Sequence, residues 1–328
     1  GAGAQIPIPF EPMLEFAAKD HSFTGNLEQC NGCGGCRKDT PTMCPTYQAT
    51  GDELMSTRGR ANIIRAVLEG RLDDPDNPLD GEALEKALSN CLSCKACEAE
   101  CPSNVNMALL KAELLHAQHR RYGTPLRARL LSRVDVLNAL GSIVPPLANA
   151  TLKNPLFRKF LEQVAGVAAE RPLPAYAPQR FDRWFKKHKE ERKGRDRGEV
   201  LLWDDCFVRH NEPNIGQAAV KVLEAAGYRP RLVQGHVCCG RPAFSMGRLD
   251  VARDFGRRNL ALLRNSELPI IFLEPSCYAM FREEYIELGL DGAKVTAGRV
   301  VLFEHFIEAL LRKEPDALPL QQNNHGIA

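Results

Sequence analysis

Three features of the sequence predict a mixed fold. Two four-cysteine ladders lie between residues 30 and 101; apolar positions recur at helical spacing around and beyond them; and after Glu199 the pattern changes to short apolar runs alternating with helical ones. The first two predict a mainly α-helical domain organised by its cysteines, and the third a small α/β domain with a parallel sheet. A chain of 328 residues has room for two or three compact units. The expected divisions are a lead-in strap over 1–26, the ladder domain over 27–120, a helical and basic connector over 121–198, and the α/β domain over 199–328.

The ladders are Cys30, Cys33, Cys36 with Cys44-Pro45, and Cys91, Cys94, Cys97 with Cys101-Pro102, eight of the twelve cysteines. The second has the C-x2-C-x2-C-x3-C-P spacing of two-cluster ferredoxins; the first shares the opening triplet and has a longer gap. Three thiolates at that spacing wrap one face of a [4Fe-4S] cubane, and in two-cluster proteins the fourth ligand crosses over. Two [4Fe-4S] clusters follow as the expectation, one on Cys30, Cys33, Cys36 and Cys101, the other on Cys91, Cys94, Cys97 and Cys44, in a two-cluster ferredoxin-like domain. Gly32, Gly34 and Gly35 suit a loop whose backbone approaches sulfide closely. Structural zinc is the rival, but it favours Cys-x-x-Cys pairs over triplets. Disulfides fit less well, since no secretory signal opens the chain.

Composition narrows the function classes. With 43 basic against 41 acidic residues and a formal charge of +2, no global field recruits nucleic acid. Cysteine usage points to a reducing, cytoplasmic setting. No apolar run is long enough to span a bilayer. The least charged stretch, Val136 to Leu152, holds Pro145 and Pro146 and reads as a buried or interfacial turn, with at most peripheral contact at a membrane face. The chain opens at Gly1-Ala2-Gly3-Ala4 and reads as a fragment or a processed product.

Ser56 or Thr57 is expected to cap a helix running to about Glu69, with Ile63, Ile64, Val67 and Leu68 inward. Asp80 is the expected cap of a second helix that turns Ala83, Leu84, Ala87 and Leu88 inward and delivers the chain to Cys91. Val105 to Arg120 is helical by pattern, with Met107, Leu110 and Leu114 on one face. From Tyr122 to Arg180 short helical segments alternate with prolines, and Phe181 to Gly198, carrying Glu190, Glu191 and Asp196 among its basic residues, reads as a solvated connector.

Beyond Glu199, strands are expected at Val200–Trp203, Arg231–Gln234 and Ile270–Leu273. Helices are expected from Pro213 with Ile215, Ala219, Val222 and Ala226 inward, at Leu249–Leu263, at Tyr278–Glu287, and at a last segment ending near Leu311. Cys206, Cys238, Cys239 and Cys277 then follow three successive strands. Ligand sites of open α/β sheets form at the carboxyl ends of strands, so these four cysteines are a candidate third site.

At Cys238-Cys239-Gly240 the sequence resembles the cysteine-rich CCG domain shared by heterodisulfide reductase subunits, the glycolate oxidase iron–sulfur subunit and a subunit of anaerobic glycerol-3-phosphate dehydrogenase. A wider series looks like the carboxyl-terminal half of large FAD-linked oxidases acting on D-2-hydroxy acids. It consists of Cys36-Arg37-Lys38, Met43-Cys44-Pro45, Ser56-Thr57-Arg58-Gly59-Arg60-Ala61, Cys91-Leu92-Ser93-Cys94-Lys95, Glu212-Pro213, Cys238-Cys239-Gly240-Arg241-Pro242 and Glu274-Pro275-Ser276-Cys277. The likeness covers roughly residues 20 to 312. It implies an electron path from a flavin that oxidises lactate, glycolate or 2-hydroxyglutarate, through the clusters, to a quinone, cytochrome or other carrier. The flavin domain and a second CCG unit are not matched, so FAD is expected on a partner or missing domain. The CCG pattern closes with Cys-x-x-Cys, whereas Met280 stands at its last position here and is a poor substitute for thiolate. Either a third cluster or zinc would suit the remaining cysteines.

Arg37, Lys38, Arg58, Arg60 and Lys95 lie beside the ladder cysteines, where positive charge would raise a cluster potential. His210 and His236 read as hydrogen-bonded structural residues, and Asp205 and Glu274 as helix caps. Alternatives in function are a subunit of an anaerobic glycerol-3-phosphate dehydrogenase or heterodisulfide-reductase-like complex and, from another class, a redox-sensing or structural metal-binding protein. No nucleotide or flavin-binding glycine motif occurs in the sequence.

Overall fold

A computed structural model of the chain describes residues 6–17, 20–38, 43–72, 74–190 and 195–318. It falls into two compact units, one comprising Gly1–Ser132, Pro242–Arg253 and Ile286–Gly289, the other Arg133–Arg241, Asp254–Tyr285 and Leu290–Ala328.

The first unit is helical. Ser56 caps the helix Thr57–Leu68 by accepting from Gly59 N at 2.9 Å, and Ile64, Val67 and Leu68 are buried as the apolar spacing requires. The helix Glu82–Ser89 buries Leu84, Ala87 and Leu88, but Gly81, not Asp80, stands at its cap without a side-chain bond. Its first turn carries Glu82 and Glu85, which favour the positive end of the helix without a capping side chain. Met107–Tyr122 is the longest helix of this unit and buries Met107, Leu110 and Leu114. On the same helix Glu113 is fully buried and accepts from Met13 N (2.9 Å) and Leu14 N (2.8 Å), which fastens the described part of the lead-in strap. Phe10 and Phe16 meet Phe23 edge-on, with centroids 5.3 and 6.0 Å apart.

The second unit holds a four-stranded, all-parallel sheet in the order β2-β1-β3-β4, with β1 Glu199–Trp203, β2 Arg229–Leu232, β3 Ile270–Phe272 and β4 Val300–Leu302. Its core is Phe181, Val200, Leu202, Val208, Val220, Leu223, Leu232 and Ile271, with Trp184 and Phe185 packed against it. The aromatics at the start of the expected connector therefore pack into this core; Glu191 lies outside the described residues.

Several elements differ from expectation. β2 begins two residues early, and β4 was not foreseen because three residues, Val300–Leu302, run straight into the helix Phe303–Lys313. On the helix Pro213–Ala225 the buried face is Gly216, Ala219, Val220 and Leu223, while Ile215 is exposed. The cause is Gly216: a Cβ there would meet the Phe181 ring and Val208 at 2.7 Å, so the backbone approaches closely at that point and turns Ile215 outward. The helix expected from Tyr278 starts at Pro275 and passes through a π-helical turn, Met280–Glu284, which shifts the facing of Phe281 and Tyr285 toward the core. The stretch around Val136 to Leu152 forms two helices, Val134–Gly141 and Pro145–Lys153, that leave Leu140, Ile143, Val144 and Leu147 more than half exposed.

Candidate metal centre

The second ladder shows how its cysteines are gathered. Cys91, Cys94 and Cys97 border one small cavity together with Cys44 of the first ladder, and the other lining residues are Pro45, Thr46, Thr57, Arg60, Leu92, Ser93, Lys95, Met107 and Ala108. Among the described residues no carboxylate lines it. The backbone is strained at this rim: Cys44, Ser93 and Lys95 all have φ between 52° and 66°. Such conformations persist where the surroundings over-determine them, as in ligand clamps. Cys97 accepts from Met107 N, yet burial first, then the neighbouring Cys91, Cys94 and Cys44, push its thiol up to about 12. A metal would have to displace that proton, as ligation to a thiol does.

In the first ladder Gly32 and Gly34 adopt φ of 76° and 73°, the left-handed turn that a side chain would resist. A Cβ on Gly35 would stand 3.5 Å from Pro102 and 3.7 Å from Cys33 Sγ, so the segment that follows Cys101 comes to the triplet of the other ladder. Arg58 N donates to Cys36 Sγ at 3.3 Å, and Arg58 feels the charges of both Cys36 and Cys30. Both donor sets are thiol-rich, lie at the surface in part through Cys33 and Cys94, and receive backbone N–H bonds at sulfur. They fit an iron–sulfur cluster in the chemistry of the donors.

The flanking cations divide. Arg37 and Arg58 share Glu53, with Arg37 Nη1 at 2.6 Å and Arg58 Nε at 2.8 Å, and Arg58 reaches a cysteine sulfur through its amide. Lys95 pairs with Glu98 at 3.7 Å, and Lys38 is exposed. Arg60 is 2% exposed and donates Nε to Ala87 O at 2.8 Å, Nη1 to Cys44 Sγ at 3.2 Å, and Nη1 to Met55 O. Sequence reading missed Lys111, whose Nζ donates to Cys91 O at 2.5 Å; burial lowers its pKa and the Cys91 charge opposes this. A lysine among Leu109, Leu110 and Leu114 just after a Cys-Pro was the available signal. Glu53 was missed as well, because its role depends on a turn that brings it back to two arginines.

In the α/β unit, Cys206 follows β1, Cys238 and Cys239 follow β2, and Cys277 follows β3. All four are thus at the carboxyl edge, with β1 and β3 at the point where strand order reverses. Cys277 Sγ and Cys239 Sγ share a hydrogen bond of 3.0 Å, and Gly240 N donates to Cys238 Sγ at 3.4 Å. Hydrogen bonds from Cys206 and Cys239 lower Cys238 to about 3 against the cost of burial. Cys206 and Cys239 are raised by bonds to Cys238 and by burial; Cys277 is raised because burial and the Asp205 carboxylate outweigh its bond to Cys239. Among the described residues no group of three or more Cys, His, Asp or Glu is set to hold a single metal ion.

The frame around these thiols is polar and buried. Asp205 caps the helix Cys206–His210 through Phe207 N and Val208 N at 2.8 and 3.1 Å, and burial raises its pKa to about 6; Glu274 caps Pro275–Ala279 through Ser276 N at 3.3 Å. His236 is hydrogen-bonded to Asp204 (2.8 Å), and His210 to Ser142 (2.7 Å), as structural histidines would be. Two supports were not foreseen: Asn259 accepts from Val237 N and donates to Cys238 O, both at 3.0 Å, and Tyr285 OH donates to Cys239 O at 2.7 Å. Met280 is fully buried at the start of the π-helical turn.

Residues 26–105 match the family of 4Fe-4S dicluster domains, and residues 200–282 match the family of cysteine-rich CCG domains. The chain thus joins a stretch similar to iron–sulfur dicluster domains to one similar to cysteine-rich CCG domains. It is 23% identical to the D-2-hydroxyglutarate dehydrogenase of Escherichia coli over 94% of its own length and 34% of that protein. It is 28% identical to a subunit of the anaerobic glycerol-3-phosphate dehydrogenase of Escherichia coli, over 64% of the chain and 53% of that protein. It is 29% identical to the glycolate oxidase iron–sulfur subunit of the same organism, over 88% of the chain and 66% of that protein. The chain thus spans about a third of the first relative and about half of the second. No solved structure matches it. Among the described residues no helix is long and apolar enough to cross a membrane.

Proposed function

We propose that this chain is the electron-transfer part of an FAD-linked dehydrogenase of D-2-hydroxy acids such as lactate, glycolate or 2-hydroxyglutarate. Cys30, Cys33, Cys36 and Cys101 hold one [4Fe-4S] cluster, and Cys91, Cys94, Cys97 and Cys44 hold the other. Each cluster supplies one-electron, outer-sphere transfer; the protein holds it, excludes water and sets its potential. The observation that carries this reading is the cavity bordered by three cysteines of one ladder and the fourth of the other, with no carboxylate in its lining among the described residues. Cys206, Cys238, Cys239 and Cys277 are a third candidate site, for a cluster or zinc. FAD resides on a partner or a further domain, and a quinone or cytochrome takes the electrons. The exposed Leu140, Ile143 and Leu147 support peripheral contact at the cytoplasmic membrane face.

Anaerobic purification followed by iron, acid-labile sulfide and zinc analysis tests the centres. About eight irons with equal sulfide are expected for two clusters and about twelve for three, whereas zinc without sulfide would overturn the proposal. The donor is tested by mixing the loaded chain with candidate flavoproteins. Bleaching by D-lactate, glycolate or D-2-hydroxyglutarate supports the reading. The relation to the glycerol-3-phosphate dehydrogenase subunit favours a second one, which bleaching by glycerol-3-phosphate alone would establish in its place.

A further inference from the structure

The two ladder sites differ in the charge that surrounds them. At Cys44 and Cys91 stand two inward cations: Arg60, with Nη1 on Cys44 Sγ at 3.2 Å, and Lys111, with Nζ on Cys91 O at 2.5 Å. Neither forms an ion pair with a carboxylate among the described residues, and Arg60 is almost wholly buried. The remaining cation at this rim, Lys95, is balanced by Glu98. At the first triplet the nearby cations are Arg37 and Arg58, with side chains 38% and 24% exposed, and both are bound to the one carboxylate of Glu53. Cysteine exposure is nearly matched between the two sites. Each triplet has one exposed, one intermediate and one buried thiol, while the fourth residue is buried for Cys44 and intermediate for Cys101.

Adding an electron to a cluster adds one negative charge to its site. A fixed cation stabilises that charge most where water does not screen it, because the interaction scales inversely with the local dielectric. We infer that Arg60 and Lys111 make the centre of Cys44, Cys91, Cys94 and Cys97 the stronger electron acceptor of the two, so that an electron entering at the first ladder comes to rest at the second. This order rests on the crossed ligand sets proposed above. On that reading, oxidation of a 2-hydroxy acid to its 2-oxo acid would supply two electrons, and each cluster would take one at a time. A downhill step between the ladders empties the first site for the second electron.

An EPR-monitored redox titration of the full chain, reconstituted with both clusters, tests the order. The native chain is expected to show two separate one-electron steps. Lys111→Met keeps the apolar stem and removes the charge; it should lower the higher step and leave the lower one in place. Glu53→Gln frees Arg37 and Arg58 from their shared carboxylate; it should raise the lower step and narrow the gap. Arg60→Lys retains a cation and should preserve the order. A single coincident step, or Lys111→Met acting on the lower step, would overturn the inference while leaving the ligand sets standing. Fewer than two reducible clusters in the native chain would overturn the ligand sets and the order with them.

Discussion

The two cysteine-bearing units solve opposite problems. In the helical unit, cysteines from distant parts of the chain border a cavity, left-handed residues hold its rim, and the cations Arg60 and Lys111 bond to Cys44 and Cys91. In the cysteine-rich domain the thiols bond to one another, the neighbouring charges include Asp205 and Glu274, and Tyr285 and Asn259 secure the loop that carries Cys238 and Cys239. On the proposed reading, the first arrangement needs a bound group to join its walls. The second already closes through its own hydrogen bonds, so its fold depends less on loading, and any metal there must displace protons in the field of two acids.

The largest test of this contrast removes one thiol from each unit. Cys44→Ser should lose the cluster of the second ladder, so that iron falls from about eight to about four per chain. Cys277→Ser should leave the dicluster iron unchanged. Iron and sulfide analysis with EPR after dithionite reads both, and equal losses in the two variants would erase the distinction.

The ladders were legible because cluster ligation imposes a spacing on the sequence itself, and the strand-to-cysteine rhythm after Glu199 was legible because a parallel sheet delivers its ligands to one edge. The face of the helix Pro213–Ala225 was not, since Gly216 decides it through a contact with Phe181, a residue thirty-five positions earlier in the chain. Which arginine acts at a sulfur was equally hidden. Arg58 and Arg60 look alike in sequence, but a 3-10 turn at Glu53–Met55 places a carboxylate on Arg58 and leaves Arg60 buried against Cys44. Lys111, Asn259 and Tyr285 act through carbonyls and amides far from them in sequence, and no local pattern marks such pairs.

In the cysteine-rich unit, Asn259→Leu should cost about 3 kcal/mol, because Val237 N and Cys238 O lose their partner inside the core. Denaturant unfolding of the metal-free chain should show the loss in the transition of this unit, and an unchanged midpoint would show that the loop holds itself. A smaller effect is expected from His210, which burial, with Arg180 and Arg209, lowers to about 4 from its usual 6.5. The unfolded chain takes up this proton first, so stability should be full above pH 6.5 and fall as the pH drops toward 4. The slope attributable to His210 is the difference between the native chain and His210→Gln; identical pH profiles would remove it.

The smallest effect is the most useful for separating the two kinds of unit. Ser56→Ala deletes the cap of the helix that brings Arg58 N to Cys36 and Arg60 to Cys44, and a lost cap costs about 1 kcal/mol. In the metal-free chain that loss should appear as an earlier unfolding midpoint of the helical unit. In the loaded chain the clusters bind the folded state alone and add a far larger stabilisation, so unfolding should be governed by cluster release and the Ser56→Ala difference should shrink. Asn259→Leu, in the unit that closes on itself, should retain its cost in both states. If the cap mattered equally with and without clusters, the dicluster fold would stand without its metal, and the contrast between the units would reduce to one of charge.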